Sequence, residues 1–211
     1  MPVLGVVLAG GLSRRMGGGD KPLLRLGGRS LLEHVCERFA PQCAAGVILN
    51  ANGDPARFAG FAHPIVRDGV PGHPGPLAGI LAALDHAVAH HPDVTHVASV
   101  TGDSPFLPRD LVGRFRAAIA GGTAAGGAAN ATVAVASSGG RQHFTTALWS
   151  VGLRDDLRAA LVERDERRVG AYLARHGAVA VEWAATPLDP FLNVNTPEDL
   201  AAAQACLRAP G

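Results

Sequence analysis

Short apolar runs alternate along this chain with longer stretches of helical period, and that alternation restricts the fold more than any other feature of the sequence. An unbroken run of β-branched and aliphatic residues reads as a strand buried on both faces, the habit of a parallel sheet covered by helices. Val3 to Leu8 is such a run, and Val47 to Leu49, Pro64 to Val66, Val94 to Val100 and Ala178 to Trp183 read as further strands. Helical patterns lie between them at Ser30 to Phe39, Leu77 to His90, Pro108 to Ile119, Leu153 to Glu163, Val169 to His176 and Pro197 to Leu207. Ser30 with Glu33 spells a capping box, and Pro197 suits a first helical position. Ala131 to Ala136 and Thr145 to Trp149 flank a polar turn from Ser137 to Gln142, so one antiparallel element should interrupt the parallel sheet. Phe191 to Val194 reads as a short extended piece. With no repeat, heptad or linker in view, the expectation is an α/β protein whose residues 1–211 form one domain around a mostly parallel sheet.

The function classes that composition excludes are few but firm. A chain of 211 residues can bury roughly 70% of its unfolded surface, so its core needs neither disulfides nor a structural metal. The 19 basic residues are balanced by 18 acidic ones, which leaves no field to hold duplex nucleic acid, although a small phosphorylated ligand is compatible. Cys36, Cys43 and Cys206 fall in no CxxC spacing and read as inert, reduced core fillers. The first apolar run has no basic residues before it and stops at Gly10, too short for a signal peptide or a membrane span. A soluble cytoplasmic protein that contacts no membrane is expected.

In open α/β sheets ligands sit beyond the carboxyl ends of the parallel strands, so the residues that follow each strand carry the chemistry. After the first strand come Leu8-Ala9-Gly10-Gly11 and then Arg14, Arg15, three consecutive glycines, Asp20 and Lys21. Glycines expose backbone N–H groups and the three side chains supply cations, which together make a phosphate cradle. Neither a Walker A frame nor a helix-opening G-x-G-x-x-G fits it. After the second strand stand Asn50 and Asn52, whose carboxamides suit a base or ribose edge and equally suit a turn. Asp68 follows the third strand, ahead of a Gly/Pro-rich loop ending in Gly75-Pro76-Leu77-Ala78-Gly79. It could accept from the N1–H and N2–H2 edge of guanine or from a ribose, or cap a turn. Asp103 follows the fourth strand at the sheet's centre, where a carboxylate is costly to desolvate unless paired or bound to a cation. One such Asp suffices for Mg²⁺ when a nucleotide's phosphate oxygens and water complete the octahedron.

In this order the segments closely resemble the molybdenum cofactor guanylyltransferases, enzymes that attach GMP to molybdopterin. The resemblance spans nearly the whole chain. It rests on Leu8-Ala9-Gly10-Gly11 with Arg15-Met16-Gly17 and Asp20-Lys21, on Asn50-Ala51-Asn52, and on Gly75-Pro76-Leu77-Ala78-Gly79. Further along it rests on Gly102-Asp103-Ser104-Pro105, Arg167-Arg168-Val169 and Asn193-Val194-Asn195-Thr196-Pro197-Glu198-Asp199-Leu200. The first motif and the Asp-x-Pro turn are shared by many nucleotidyltransferases; the paired asparagines and the last motif point to the guanylyl branch. The resemblance implies a three-layer, Rossmann-like nucleotidyltransferase fold, with GTP bound by Leu8, Ala9, Gly10, Gly11, Lys21 and Gly79. Asn50 and Asp68 would contact the nucleoside, Asp103 would hold Mg²⁺ (Mn²⁺ being the alternative), and Asn195 joins the same site. The partners implied are GTP, molybdenum-molybdopterin and, transiently, molybdoenzymes or other cofactor-biosynthesis proteins. One departure stands out: the family often shows His-Pro-Thr where this chain has His143-Phe144-Thr145.

The chemistry expected is in-line displacement, with a phosphate of molybdopterin attacking the α-phosphorus of GTP and expelling pyrophosphate. Asp103, Lys21 and Arg15 are the candidate catalytic residues, the first through the metal and the others through charge on the leaving group. Arg167 and Arg168, at a helix start, either hold the pterin side or belong to a solvated charge run. His86, His90 and His91 read as surface histidines, and Trp149, Trp183 and Tyr172 as core. Two rivals remain at this point: a related nucleotidyltransferase with CTP or a sugar phosphate, and a non-catalytic accessory protein that binds GTP and molybdopterin.

Overall fold

The computed structural model describes residues 1–10, 20–72, 75–121 and 131–208. In chain order its elements begin with β1 (Val3–Leu8), β2 (Arg25–Leu26), β3 (Arg29–Ser30), α1 (Leu31–Phe39), β4 (Val47–Asn50), β5 (Ile65–Val66) and α2 (Pro76–His90). They continue with β6 (His96–Thr101), α3 (Leu111–Ala120), β7 (Val133–Ser138), β8 (Arg141–Ser150), α4 (Arg154–Val162), α5 (Val169–His176), β9 (Val179–Trp183) and α6 (Pro197–Arg208). Gly11, Arg15 and the Gly/Ala-rich stretch beyond Gly121 lie outside the described residues.

Seven strands pair in the order β5-β4-β1-β6-β8-β7-β9. All neighbours are parallel except β8, which runs against both β6 and β7. The chain steps from β1 outward to β4 and β5, then returns to place β6 on the other side of β1. The carboxyl ends of β1 and β6 therefore flank a topological switch point, where diverging connections leave a crevice.

Alternation of side chains along each strand splits the core into two layers. Val3 and Val7 face α1 and α3, with Leu32, Phe39 and Phe115. Leu4 and Val6 face α2, α4 and α5, with Leu81, Leu157 and Tyr172. Gly5 is needed where α1 comes closest, since a Cβ there would lie 2.7 Å from both Phe39 Cε1 and Cys43 Sγ. Burial in this layer pushes the Cys36 and Cys43 thiols up to about 12, with Glu33 adding to the effect at Cys36. Among the described residues no helix is long and apolar enough to cross a membrane.

The Ser30–Glu33 capping box forms as expected, with Glu33 N donating to Ser30 Oγ at 3.1 Å and Ser30 N to Glu33 Oε2 at 2.6 Å. Three features differ from the sequence reading. Arg25–Leu26 and Arg29–Ser30 form a small antiparallel ribbon, too short to show any strand period, whose Leu26 clusters with Leu31 of α1 and Ala203 of α6. The polar stretch from Ser137 to Gln142 is mostly strand: Ser137 pairs with Gln142 and Ser138 with Arg141, leaving Gly139 and Gly140, both at positive φ, as the turn. Phe191 to Val194 joins no ladder; Val194 N instead donates to the Asp103 carbonyl at 3.0 Å.

Strand β8 also carries a bulge. Ala147 pairs with Val135 but His143 pairs with the next residue, Ala136, so Phe144, Thr145 and Thr146 have no partners on β7. Bulges of this kind re-aim side chains. Ser99, itself fully buried, steadies this one by donating its hydroxyl to the Thr145 carbonyl at 2.8 Å while accepting from Trp149 Nε1 at 2.8 Å.

Candidate active site

Three strands converge where β1 ends. Ala9 N donates to the Asn50 carbonyl at 2.9 Å and Gly102 N to the Leu8 carbonyl at 3.1 Å, so the sheet's bonding carries on into the loops that form the site. Together these loops border a cavity of about 590 Å³, lined by Leu8, Gly10, Lys21, Asn50, Asp68 and Asp103 among others. Gathering residues so far apart in sequence is what the switch point does. Ala9 itself is buried in the core beneath and is not part of the cavity's lining.

Asp103 is paired through Oδ2 with Lys21 Nζ, which also donates to Asn195 Oδ1. Among the described residues its carboxylate makes no hydrogen bond to the turn that follows it, across which Thr101 Oγ1 and Ser104 Oγ lie 2.8 Å apart. Its other oxygen, Oδ1, is buried and has no hydrogen-bond partner among the described residues. A buried carboxylate oxygen left so is costly unless a cation meets it. A hard divalent ion that takes one protein carboxylate and completes its shell with phosphate oxygens and water fits this arrangement. The residues present accordingly fit a nucleotide-bound metal better than an all-protein site, and among the described residues no group of three or more His, Cys, Asp or Glu converges.

The C-terminal motif is tied to the same corner. Asn193 Oδ1 accepts from Ser104 Oγ at 2.5 Å, Val194 binds the Asp103 backbone, and Asn195 engages Lys21. The strap is held by α6: Asp199 Oδ2 accepts from Asn195 N at 2.8 Å and Thr196 N at 2.9 Å, while Thr196 Oγ1 caps Asp199 N.

On the other side of the cavity the two asparagines converge on one carboxylate. Asn50 Nδ2 donates to Asp68 Oδ1 at 2.9 Å and to the Val66 carbonyl at 3.2 Å. Asn52 Nδ2 donates to Asp68 Oδ2 at 2.8 Å, and its Oδ1 accepts from Asp68 N at 3.1 Å. Both amides thus orient Asp68. Gly79, on the first turns of α2, makes room for this: a Cβ there would run into Asn50 Oδ1 and come within 2.8 Å of Asn50 Cγ.

Arg57 was absent from the sequence reading and lines the same cavity. Asp54 accepts from Ala56 N at 2.9 Å and Pro55 follows it, starting a short helical turn (Pro55–Phe58) that lifts the guanidinium over the Phe58 ring. It then pairs with Asp20 and with the Asn52 carbonyl. The Asn-Gly-Asp-Pro run was the available signal: Asp-Pro opens such turns, and the next exposed cation is placed by it.

A second cavity of about 620 Å³ adjoins the first, with Pro76 and Thr145 in the lining of both. Arg167 and Arg168 line it from the start of α5, and His143 and Phe144 from the bulged part of β8. Arg167 also pairs with Asp165 at 2.9 Å, so the charge run and the cavity wall are the same residues. Phe144 is 38% exposed, high for so large an apolar ring. It packs on Gly170, where a Cβ would approach its ring within 2.9 Å. His86, His90 and His91 lie at the far end of α2 with their rings against one another, while Trp149, Trp183 and Tyr172 are buried, as expected.

A family model for the MobA-like NTP transferase domain matches residues 5–179. The chain belongs to the MobA-like NTP transferase family. It is 53% identical over 202 residues to the molybdenum cofactor guanylyltransferase of Bradyrhizobium sp. (strain ORS 278), covering 96% of this chain and 92% of that one. In fold it is similar to the molybdopterin-guanine dinucleotide biosynthesis protein A of Archaeoglobus fulgidus, with a TM-score of 0.72 at 21% identity over 97% of this chain and 98% of that one. A Mycobacterium tuberculosis protein solved in complex with manganese shares the fold at a TM-score of 0.64 and 18% identity, over 97% of this chain and 99% of that one.

Proposed function

We propose that the chain transfers GMP from GTP to the terminal phosphate of molybdenum-molybdopterin, giving the guanine dinucleotide cofactor and pyrophosphate. The observation that carries this reading is the pair of adjoining cavities: one holds Asp103 beside Lys21, and the other offers two arginines and an exposed aromatic ring. Relatives named molybdenum cofactor guanylyltransferase, aligned over nearly the whole chain, support it.

An oxygen of the acceptor phosphate forms a bond to the α-phosphorus of GTP; the bond from that phosphorus to the β-phosphate breaks, and its electron pair leaves with pyrophosphate. A phosphate monoester is largely dianionic near neutral pH, its second pKa being about 6, so its oxygen attacks without a general base. The chain's task is placement and countercharge. Leu8, Ala9, Gly10 and Gly11 are assigned to the triphosphate. Lys21 and Arg15 meet the charge that builds on the leaving pyrophosphate. Asp103 would hold Mg²⁺ or Mn²⁺ through Oδ1, an ion that when bound would offset charge on the triphosphate and the incoming phosphate. Asn195 keeps the Lys21 ammonium in place.

Asp68, fixed by Asn50 and Asn52, is assigned to the base. Guanine's N1–H and N2–H2 present adjacent donors to a carboxylate, whereas cytosine has only its exocyclic amine to give. That favours GTP over CTP. In the second cavity Arg167 and Arg168 would grip the acceptor's phosphate and Phe144 would stack on its ring. Delivery to recipient molybdoenzymes and a cytoplasmic setting follow from the same reading.

Incubation with GTP or CTP, Mg²⁺ and carrier-loaded molybdopterin, with mass analysis of the released cofactor, tests it. A guanine dinucleotide and one pyrophosphate per turnover are expected. A cytosine product, or a complex with no covalent product, rejects the reading in favour of another nucleotidyltransferase or an accessory protein.

A further inference from the structure

A hydrogen-bonded chain behind the second cavity ends at His143 in its wall, and its direction can be worked out from its ends. His143 Nε2 lies 2.8 Å from Ser138 Oγ, and Ser138 Oγ donates to Asp189 Oδ1 at 2.9 Å. A carboxylate only accepts, so the single serine proton points to Asp189 and the serine oxygen must accept from the imidazole. Nε2 therefore carries the hydrogen. In a neutral ring this leaves the lone pair on Nδ1, which makes no hydrogen bond among the described residues.

The chain is built into the fold. Ser138 is 2% exposed, at the end of β7. Asp189 is fixed in turn by accepting from Phe191 N at 2.9 Å, and the imidazole leans on the Phe191 ring at 4.8 Å between centroids. The bulge explains how His143 reaches this face. Ala147 and Trp149 belong to the layer under α2 and α4, and strict alternation would put His143 with them; the three unpaired residues reverse its parity and turn it toward Phe191. The ring is neutral near pH 7 because burial holds it below the ordinary imidazole range; Asp189 and Glu182 pull the other way and Arg141 adds to the lowering.

We propose that His143 binds the second substrate as a hydrogen-bond acceptor, with Ser138 and Asp189 as positioning residues that fix its tautomer, and so selects a ring that presents an N–H donor. This rests on the reading of the second cavity as the acceptor site. The cations among the described residues lining that cavity, Arg141, Arg167 and Arg168, can only donate. An acceptor among them is what distinguishes an N–H-bearing ring from a bare phosphate. A site built to receive such a donor discriminates against analogues that lack it.

Two measurements decide the matter. In the wild-type protein labelled with ¹⁵N-histidine at pH 8, the His143 ring should show a protonated Nε2 and an unprotonated Nδ1, and Ser138→Ala should bring in the other tautomer. A ring protonated at Nδ1 in the wild type overturns the proposal whatever the protein's activity. In turnover with molybdopterin, Ser138→Ala and His143→Phe should raise KM for the acceptor roughly ten-fold, with KM for GTP and kcat nearly unchanged. His143→Gln, which keeps a donor for Ser138 and a carbonyl acceptor, should recover most of the loss. An unchanged acceptor KM in a folded His143→Phe protein also overturns it. Absence of any turnover by the wild type instead defeats the functional reading, and the NMR tautomer still decides for or against His143.

Discussion

Replacing Gly79 with Ala adds one methyl group, and its consequences can be followed from stability to specificity. The new Cβ would overlap Asn50 Oδ1 and press within 2.8 Å of both Asn50 Cγ and Leu8 Cδ2. Asn50 is 6% exposed, and yielding to the new methyl turns its amide away from Val66 and Asp68. Overpacking of this kind costs about 1–3 kcal/mol, partly offset by the roughly 1 kcal/mol that Ala gains over Gly inside a helix. The net loss of about 0–2 kcal/mol should lower Tm by no more than about 8 °C in a chain of this size. Binding should suffer more. Asp68 loses one of its two orienting amides, and a hydrogen bond to a charged group contributes about 1.5–3 kcal/mol, or roughly ten- to a hundred-fold in GTP affinity. Calorimetric titration with GTP, beside inosine and cytidine triphosphates, reads the effect, and the preference for guanine should shrink along with the affinity. If Gly79→Ala instead raised Tm by the helix propensity alone and bound GTP as the wild type does, the amide would not be what holds Asp68.

Three further outcomes follow from the same structure. Asp103→Ala should slow metal-dependent pyrophosphate release on the order of 10²–10³-fold while metal-free GTP binding changes little; near-wild-type release would reject Asp103 as the metal residue. Ser30→Ala should cost about 1 kcal/mol in urea denaturation at pH 7. The Ser30 backbone N–H and hydroxyl hold Glu33 below its ordinary value of 4.5, so that part of the stability is present above this value and fades as pH falls through the lowered one; the gap between variant and wild type should narrow there. Cys36 and Cys43, buried with thiols raised to about 12, should resist maleimide at pH 8 until the protein unfolds, whereas the half-buried Cys206 reacts first; equal labelling rates for all three would contradict the packing of α1.

The sheet was legible because its central strands are buried on both faces. Val3 to Leu8 has no polar face to hide and Val97 to Val100 is buried throughout, and the residues after them had to be loops at the carboxyl edge. The candidate site was legible for the same reason: topology collects strand ends, so Asp68 and Asp103 could be named before any contact was known. The partners of each group were hidden. Nothing in Asn50-Ala51-Asn52 says that both amides turn to Asp68, because their hydrogen bonds span sixteen to eighteen residues of sequence. Arg57 was missed because its position depends on a single turn of helix. His143 stayed obscure because a strand read by alternation has one parity, and β8 has two.

That divided strand bears on how such an enzyme changes. Phe144, Thr145 and Thr146 sit outside both ladders, and Ser99 of the neighbouring strand tethers them through the Thr145 carbonyl. Substitution at Phe144 or Thr145 can therefore reshape a substrate wall without loosening a rung of the sheet. Because Thr145 lines both chambers, a substitution there should, on the proposed reading, alter donor and acceptor preference together.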